Sequence, residues 1–329
     1  MAMKINQIFI MLLVFSILIL YDTKVNAFQV DASMPLEASA KYNYVPKNLI
    51  DGSIQSAWCS NKTISPDLWI SFKYPKIRRL GGIGFISGYA KNVTAFSNNS
   101  RPKDLLLKID SKKSVRLLLS DSADVQWIEI SPVLGAEFKF SIRSFYSGLK
   151  YSDVCIAEVF DDKRVYDAYL MLSEIEKKVA GRYLTPDEIQ EYFNPFFDLT
   201  FNYKIKDEKV FWYTAKLKTS KLDEFSLRLL LYLAYYADRF MDTTNAELLE
   251  GLRDMVVPFI EHQSQVVLTV LNDKNQVMRG NIVSAYYLFV DQFGRDPKTN
   301  EFINEKIRNE LRDIDKNIKQ VKAELERVP

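Results

Sequence analysis

The run Phe138-Lys139-Phe140-Ser141-Ile142-Arg143 alternates apolar and polar residues. Phe138, Phe140 and Ile142 fall on one face, Lys139 and Arg143 on the other, which is the period of a half-buried strand. Similar stretches surround it. Trp127-Ile128-Glu129-Ile130 alternates as well, and Trp69-Ile70-Ser71-Phe72 and Ile83-Gly84-Phe85-Ile86-Ser87-Gly88-Tyr89 look alike. The runs 105–109 and 115–119 flank Asp110-Ser111-Lys112-Lys113, a hairpin signal. Several short strands separated by turns predict an antiparallel β-sandwich.

Beyond residue 161 the period changes. Thr185-Pro186-Asp187-Glu188 is a capping box with proline at the first helical position. Leu222, Phe225, Leu229, Leu233, Tyr236 and Phe240 recur at three or four residues, the spacing of a helix face. A second capping box, Thr244 to Glu247, opens a helix that ends before Pro258. Gly294 closes a helix expected near 276–293, and Asp296-Pro297 starts the last one. In that last helix Ile307, Leu311, Ile314, Ile318, Val321 and Leu325 form a narrow seam. Short joints between these helices predict an all-α bundle or a solenoid-like stack.

Glycine and charge place the boundary at the same point. Residues 28–160 hold seven of the 11 glycines and carry 17 basic against 12 acidic residues. Residues 161–329 carry 25 basic against 29 acidic, and Asp161-Asp162-Lys163-Arg164 is the charged joint. The 329 residues are 47% hydrophobic and 26% charged, which excludes wholesale disorder. A net charge of +2 gives no nucleic-acid signature. One histidine, His262, and two cysteines exclude a His-rich or Cys-rich metal site.

The N-terminus reads as an export signal. Lys4 precedes 13 uncharged residues at 8–20, apolar except for Ser16, short for a bilayer span of about 20. Val25-Asn26-Ala27 then offers a cleavage point after Ala27, so residues 1–27 are the expected signal peptide. The alternative is an uncleaved anchor, which Asp22 and Lys24 interrupt. Once cleaved, the chain is expected in a periplasmic or extracellular space, with no integral membrane segment. In that oxidising setting Cys59 and Cys155 have a reason to pair.

Three further stretches carry a resemblance. They are residues 44–59, with Asp51-Gly52-Ser53 at their centre; Gly88-Tyr89-Ala90-Lys91 leading to Arg101-Pro102-Lys103; and residues 144–160, including Tyr151-Ser152-Asp153-Val154-Cys155. Together, over about residues 36–160, they resemble a discoidin-type (coagulation factor V/VIII type C) galactose-binding-like domain. More narrowly, they resemble the glycan-binding translocation module of NAD glycohydrolases and of many secreted bacterial proteins. The resemblance implies a jelly-roll sandwich that binds carbohydrate through loops at one end. It stops short of the helical half, so no NAD glycohydrolase activity carries over.

The resemblance also implies site residues. Related domains often hold a structural calcium at the Asp-Gly turn, and Asp51, Ser56 and Glu158 match that set. Ser53 stands where a further acidic group is expected, which weakens the case, because calcium takes six to eight oxygens. Without calcium, Asp51 and Glu158 would accept hydrogen bonds instead. The same kinship makes the loop and the closing strand neighbours, which implies a Cys59–Cys155 disulfide. Sugar sites join an aromatic face to a few polar groups. The loop candidates are Tyr89, Asn92 and Arg101 in one stretch and Tyr146, Lys150, Tyr151 and Asp153 in another. For each tyrosine the alternative is packing, and Arg101 offers a planar fork for hydroxyls or an acidic sugar.

The helical half shows no motif for a reaction. His262 beside Glu261 has no nucleophile motif nearby, so a solvated or capping role is expected. Aromatic clusters at 193–197 and 211–213 are expected in the core rather than in a partner groove. The expected function is therefore a secreted carbohydrate-binding protein, with the helices as an interaction or effector module that meets a protein partner. The alternatives are a protein-interaction protein without sugar binding, and an enzyme with its site among the helices.

Overall fold

A computed structural model describes residues 29–270, except 40–41, 62–67, 180–181, 183, 202–207, 242–245, 264 and 267–268. The expected signal segment, Thr244 and the two helices expected beyond 276 lie outside the described residues. The chain divides into two compact units. One comprises residues 1–49 and 57–161, the other 50–56 and 162–329.

The first unit is an antiparallel β-sandwich of the jelly-roll kind. Its strands are β1 (Gln29–Ala32), β2 (Trp58–Cys59), β3 (Trp69–Ser87), β4 (Arg101–Ile109), β5 (Lys113–Leu118), β6 (Gln126–Tyr146) and β7 (Cys155–Phe160). They run in the order β2-β7-β3-β6-β4-β5, with β1 beside β3. The short strands expected at 69–72 and 83–89 are one strand, as are those at 127–130 and 138–143. Register breaks between Lys73 and Arg78 and between Leu80 and Gly82 interrupt the β3–β6 ladder. Bulges of this kind bend a strand, so one long strand serves where two were expected.

The alternation at 138–143 is the core pattern it promised. Phe138, Phe140 and Ile142 are buried, and Phe140 meets Phe72 and Phe85 edge-on at 5.9 and 5.7 Å. Outside, Lys139 Nζ lies 4.0 Å over the Trp69 ring. The β4–β5 hairpin turns through Asp110 and Ser111, both left-handed (φ 46° and 59°). Aspartate tolerates that region. Its carboxylate also accepts from the backbone N–H groups of Glu137 (2.8 Å) and Ala136 (3.0 Å) in β6. Those two bonds hold the Asp110 carboxyl below the ordinary carboxylate range.

The second unit is helical: α2 (Lys163–Lys178), α3 (Pro186–Thr200), α4 (Lys209–Thr219), α5 (Glu224–Phe240), α6 (Ala246–Asp254) and α7 (Val257–His262). A short helix, α1 (Val93–Asn98), belongs to the sandwich. The capping box at Thr185 forms in full. Thr185 Oγ1 accepts from Glu188 N (3.3 Å), and Glu188 Oε2 accepts from Thr185 N (2.8 Å). Asp162 caps α2, and Asp223 caps α5. The helices share one core, the arrangement of a bundle. Phe193, Phe196, Phe197 and Phe211 are buried there, and Phe197 stacks on Tyr236 at 4.4 Å. Both aromatic clusters thus feed the core. No described helix is long and apolar enough to cross a membrane.

The segment Ile50–Ser56 belongs with the helices. Lys216 Nζ donates to the Asp51 carbonyl (2.7 Å), Ile54 N to Ser220 Oγ (3.2 Å), and Gln55 Nε2 to the Ser220 carbonyl (2.8 Å).

Candidate functional site: a tyrosine-lined cleft in the sandwich

Three loops and α1 meet where β3 ends and β7 begins, and between them lies a cleft of about 490 Å³. Its floor includes Cys59, whose disulfide to Cys155 joins residues directly opposite on β2 and β7, Cα atoms 4.1 Å apart. The loop 147–153 is laid along α1 by backbone bonds. Leu149 N donates to Ser97 O (2.9 Å), and Tyr151 N to Asn98 O (2.7 Å). Gly148 permits this approach, because a Cβ there would stand 2.4 Å from the Asn98 carbonyl oxygen. Asn92 caps α1, its Oδ1 accepting from Ala95 N (2.8 Å). That bond leaves its amide N–H groups for other partners.

Four tyrosines set the character of the cleft: Tyr42, Tyr44, Tyr89 and Tyr151. Tyr44 and Tyr89 meet edge-on, 6.4 Å between ring centres. Burial, then the neighbouring phenols Tyr44 and Tyr42, push the Tyr89 hydroxyl up to about 12. Tyr44 is raised by burial first, then by Tyr42, Asp153 and Tyr151. Burial also raises the Asp153 carboxyl. Lys91 Nζ donates to Tyr42 Oη (3.3 Å) and lies 4.8 Å over the Tyr42 ring.

Of the seven sugar-site candidates, Tyr89, Asn92, Tyr151 and Asp153 line this cleft. The structure places the others elsewhere. Arg101 directs its fork at Asp121 (2.5 and 2.7 Å) and lies over Phe96, so its donors serve the frame. Tyr146 Oη donates to the Leu119 carbonyl (3.1 Å), with Lys103 over its ring. Lys150 packs its ammonium 5.1 Å over Tyr151, outside the lining. Several lining residues, Tyr42, Tyr44 and Lys91 among them, were not among the sequence candidates. Tyr42 and Tyr44 sit in an irregular loop, where no periodicity marks a face. Lys91 lies two residues after Tyr89 and was readable only as part of a motif.

Within the calcium set, Asp51 and Ser56 bond to each other. Asp51 accepts Ser53 N (3.0 Å) on Oδ1 and Ser56 Oγ (2.6 Å) on Oδ2, closing its own loop. Asp51 and Ser56 fall in the helical unit, whereas Glu158 is buried in β7 of the sandwich. Among the described residues no group of three or more His, Cys, Asp or Glu side chains is gathered to hold a metal. Hydrogen bonds close the Asp51 loop.

Residues 20–161, which include the sandwich and its cleft, match the family described as the NAD glycohydrolase translocation F5/8 type C domain. Similar solved structures include CpGH89CBM32-5 from Clostridium perfringens in complex with GalNAc-beta-1,3-galactose. It is 12% identical over 40% of this chain and 92% of its own, TM-score 0.32. The family 32 CBM of C. perfringens NanJ, in complex with galactose, is 16% identical over 40% and 90%, TM-score 0.30. A pectin-binding carbohydrate binding module is 16% identical over 40% and 87%, TM-score 0.30. No curated protein matches the chain.

Proposed function

We propose that this chain is an exported carbohydrate-binding protein whose sandwich seats a sugar in the tyrosine-lined cleft. One observation carries the reading. Four tyrosine side chains, an amide at Asn92 and the charged groups Lys91 and Asp153 converge on one part-desolvated cleft. Tyrosine faces cover the C–H patch of a pyranose, and the amide and charged groups bond its hydroxyls. The helical unit serves as an interaction or effector module, and the chain binds rather than catalyses.

A second reading, protein recognition by the same loops, draws support from the rim. Val93, next to the lining Asn92, and Leu149, two residues from Tyr151, are 83% and 84% exposed. Exposed aliphatic groups beside a cleft suit a protein surface.

A glycan array probed with the full chain, beside a Tyr44→Ala, Tyr151→Ala variant of equal melting temperature, separates the two. Selective sugar signals that vanish in the variant are the expected result. A folded chain that binds nothing on a broad array defeats the sugar reading and moves protein recognition to first place.

A further inference from the structure

Asp153 is the group in the cleft whose chemistry is unanswered. No described side chain donates to its carboxylate or forms an ion pair with it. Its neighbours include phenols: Tyr44 lies close enough to feel its charge, and Tyr44 in turn feels Tyr42 and Tyr151. Tyrosine faces are electronegative, so a carboxylate set among them makes a cleft that favours positive charge. Lys91, also in the lining, is turned to Tyr42, donating to its hydroxyl and lying over its ring. The protein's own ammonium thus shows how a cation rests against these tyrosines. Lys150 rests likewise over Tyr151, whereas no described lysine or arginine is paired with Asp153, so a cation at that carboxylate comes with the ligand.

Resting on the sugar reading above, we propose that the cleft selects a glycan bearing a free amine, a non-acetylated hexosamine. Its ammonium donates to Asp153 and lies against Tyr44, since Lys150 already covers Tyr151. The free amide N–H groups of Asn92 are placed for its hydroxyls. A charge-assisted hydrogen bond in a part-desolvated site is stronger than a neutral one. An N-acetyl group removes the charge while leaving the ring unchanged, and it adds bulk on the side that faces the carboxylate.

The test is calorimetry on the full chain with glucosamine and galactosamine oligomers and their N-acetyl counterparts, at a pH where the amines are protonated. Asp153→Asn is run in parallel, with a broad glycan array. The free amines should bind about tenfold or more tighter than the N-acetyl forms. In Asp153→Asn that preference should disappear, with affinity for the N-acetyl forms little changed. Equal or tighter binding of the N-acetyl sugars, or array signals confined to other sugars, overturns the amine assignment and leaves the sugar reading standing. An amine preference that survives in Asp153→Asn also overturns it. No binding to any arrayed sugar by the folded chain overturns both. The comparison of sugars on the unmodified chain decides the matter even if the variant does not fold.

Discussion

Cys59 and Cys155 show how one bond can fix both a frame and a site. The two residues sit opposite each other on β2 and β7, in a small buried cluster with Ala57 and Tyr89. They are 96 residues apart in sequence, and a link over that distance is worth up to about 4–5 kcal/mol in the chain-entropy account. Replacing both by alanine should lower the unfolding free energy of the sandwich, read from a urea titration, by up to a comparable amount, and should weaken ligand binding because Cys59 floors the cleft. Tyr89 makes a second prediction. Its hydroxyl is raised from 10.0 to about 12, so the fold favours its neutral form. That contribution is whole below pH 10 and is lost as pH climbs through 10 toward 12. An ultraviolet titration of the chain, less that of Tyr89→Phe, should show one phenol ionising near pH 12. At this level the sequence was a fair guide where a loop motif flagged the residue, as for Tyr89, Asn92, Tyr151 and Asp153. It misled at Arg101, because nothing in the sequence ties that fork to Asp121, twenty positions away.

The helix starts are the elements most plainly written in the chain. The Thr185 capping box formed as its residue types demand, and Thr185→Ala should destabilise the helical unit by about 1 kcal/mol in thermal unfolding. Glu188 adds a pH dependence. The Arg182 guanidinium first, and Thr185 N–H second, lower its carboxyl from 4.5 to about 2. The sign is that of a depressed acid: its contribution is present above pH 4.5 and lost as pH falls through about 2. Helical ellipticity followed from pH 6 to 2 should fall less steeply in Glu188→Gln than in the parent chain. Other elements were hidden. Asp162 looked like part of a charged joint, yet its side chain caps α2, and Lys163 and Arg164 are that helix's first turn. A cap and a linker draw on the same residue types, so composition alone does not separate them. The long strands were hidden differently: their register breaks broke the alternation, and one bent strand read as two.

Across the chain as a whole, the shift from period two to period 3.6 near residue 161 was open to view. The detour of residues 50–56 was not, because an Asp-Gly-Ser run looks like any surface turn. That detour makes the helical unit discontinuous, and Gly52 tests its importance. Gly52 holds φ +70°, a conformation costly by about 1–2 kcal/mol for other residues, and stands beside Tyr213 and Lys216 of α4. Gly52→Val should speed amide exchange across residues 209–219 while leaving the β3 and β6 amides as protected as before.

Discontinuity also bears on how such a chain can be inherited or re-engineered. A domain held by a single junction can be gained or lost in one recombination event at that junction. Here a cut after residue 161 would release helices stripped of a segment that bonds to α4, and a sandwich carrying a loop whose partners are gone. Separation at that junction should therefore destabilise the helices. Fusion designs that borrow the helices must bring residues 50–56 with them.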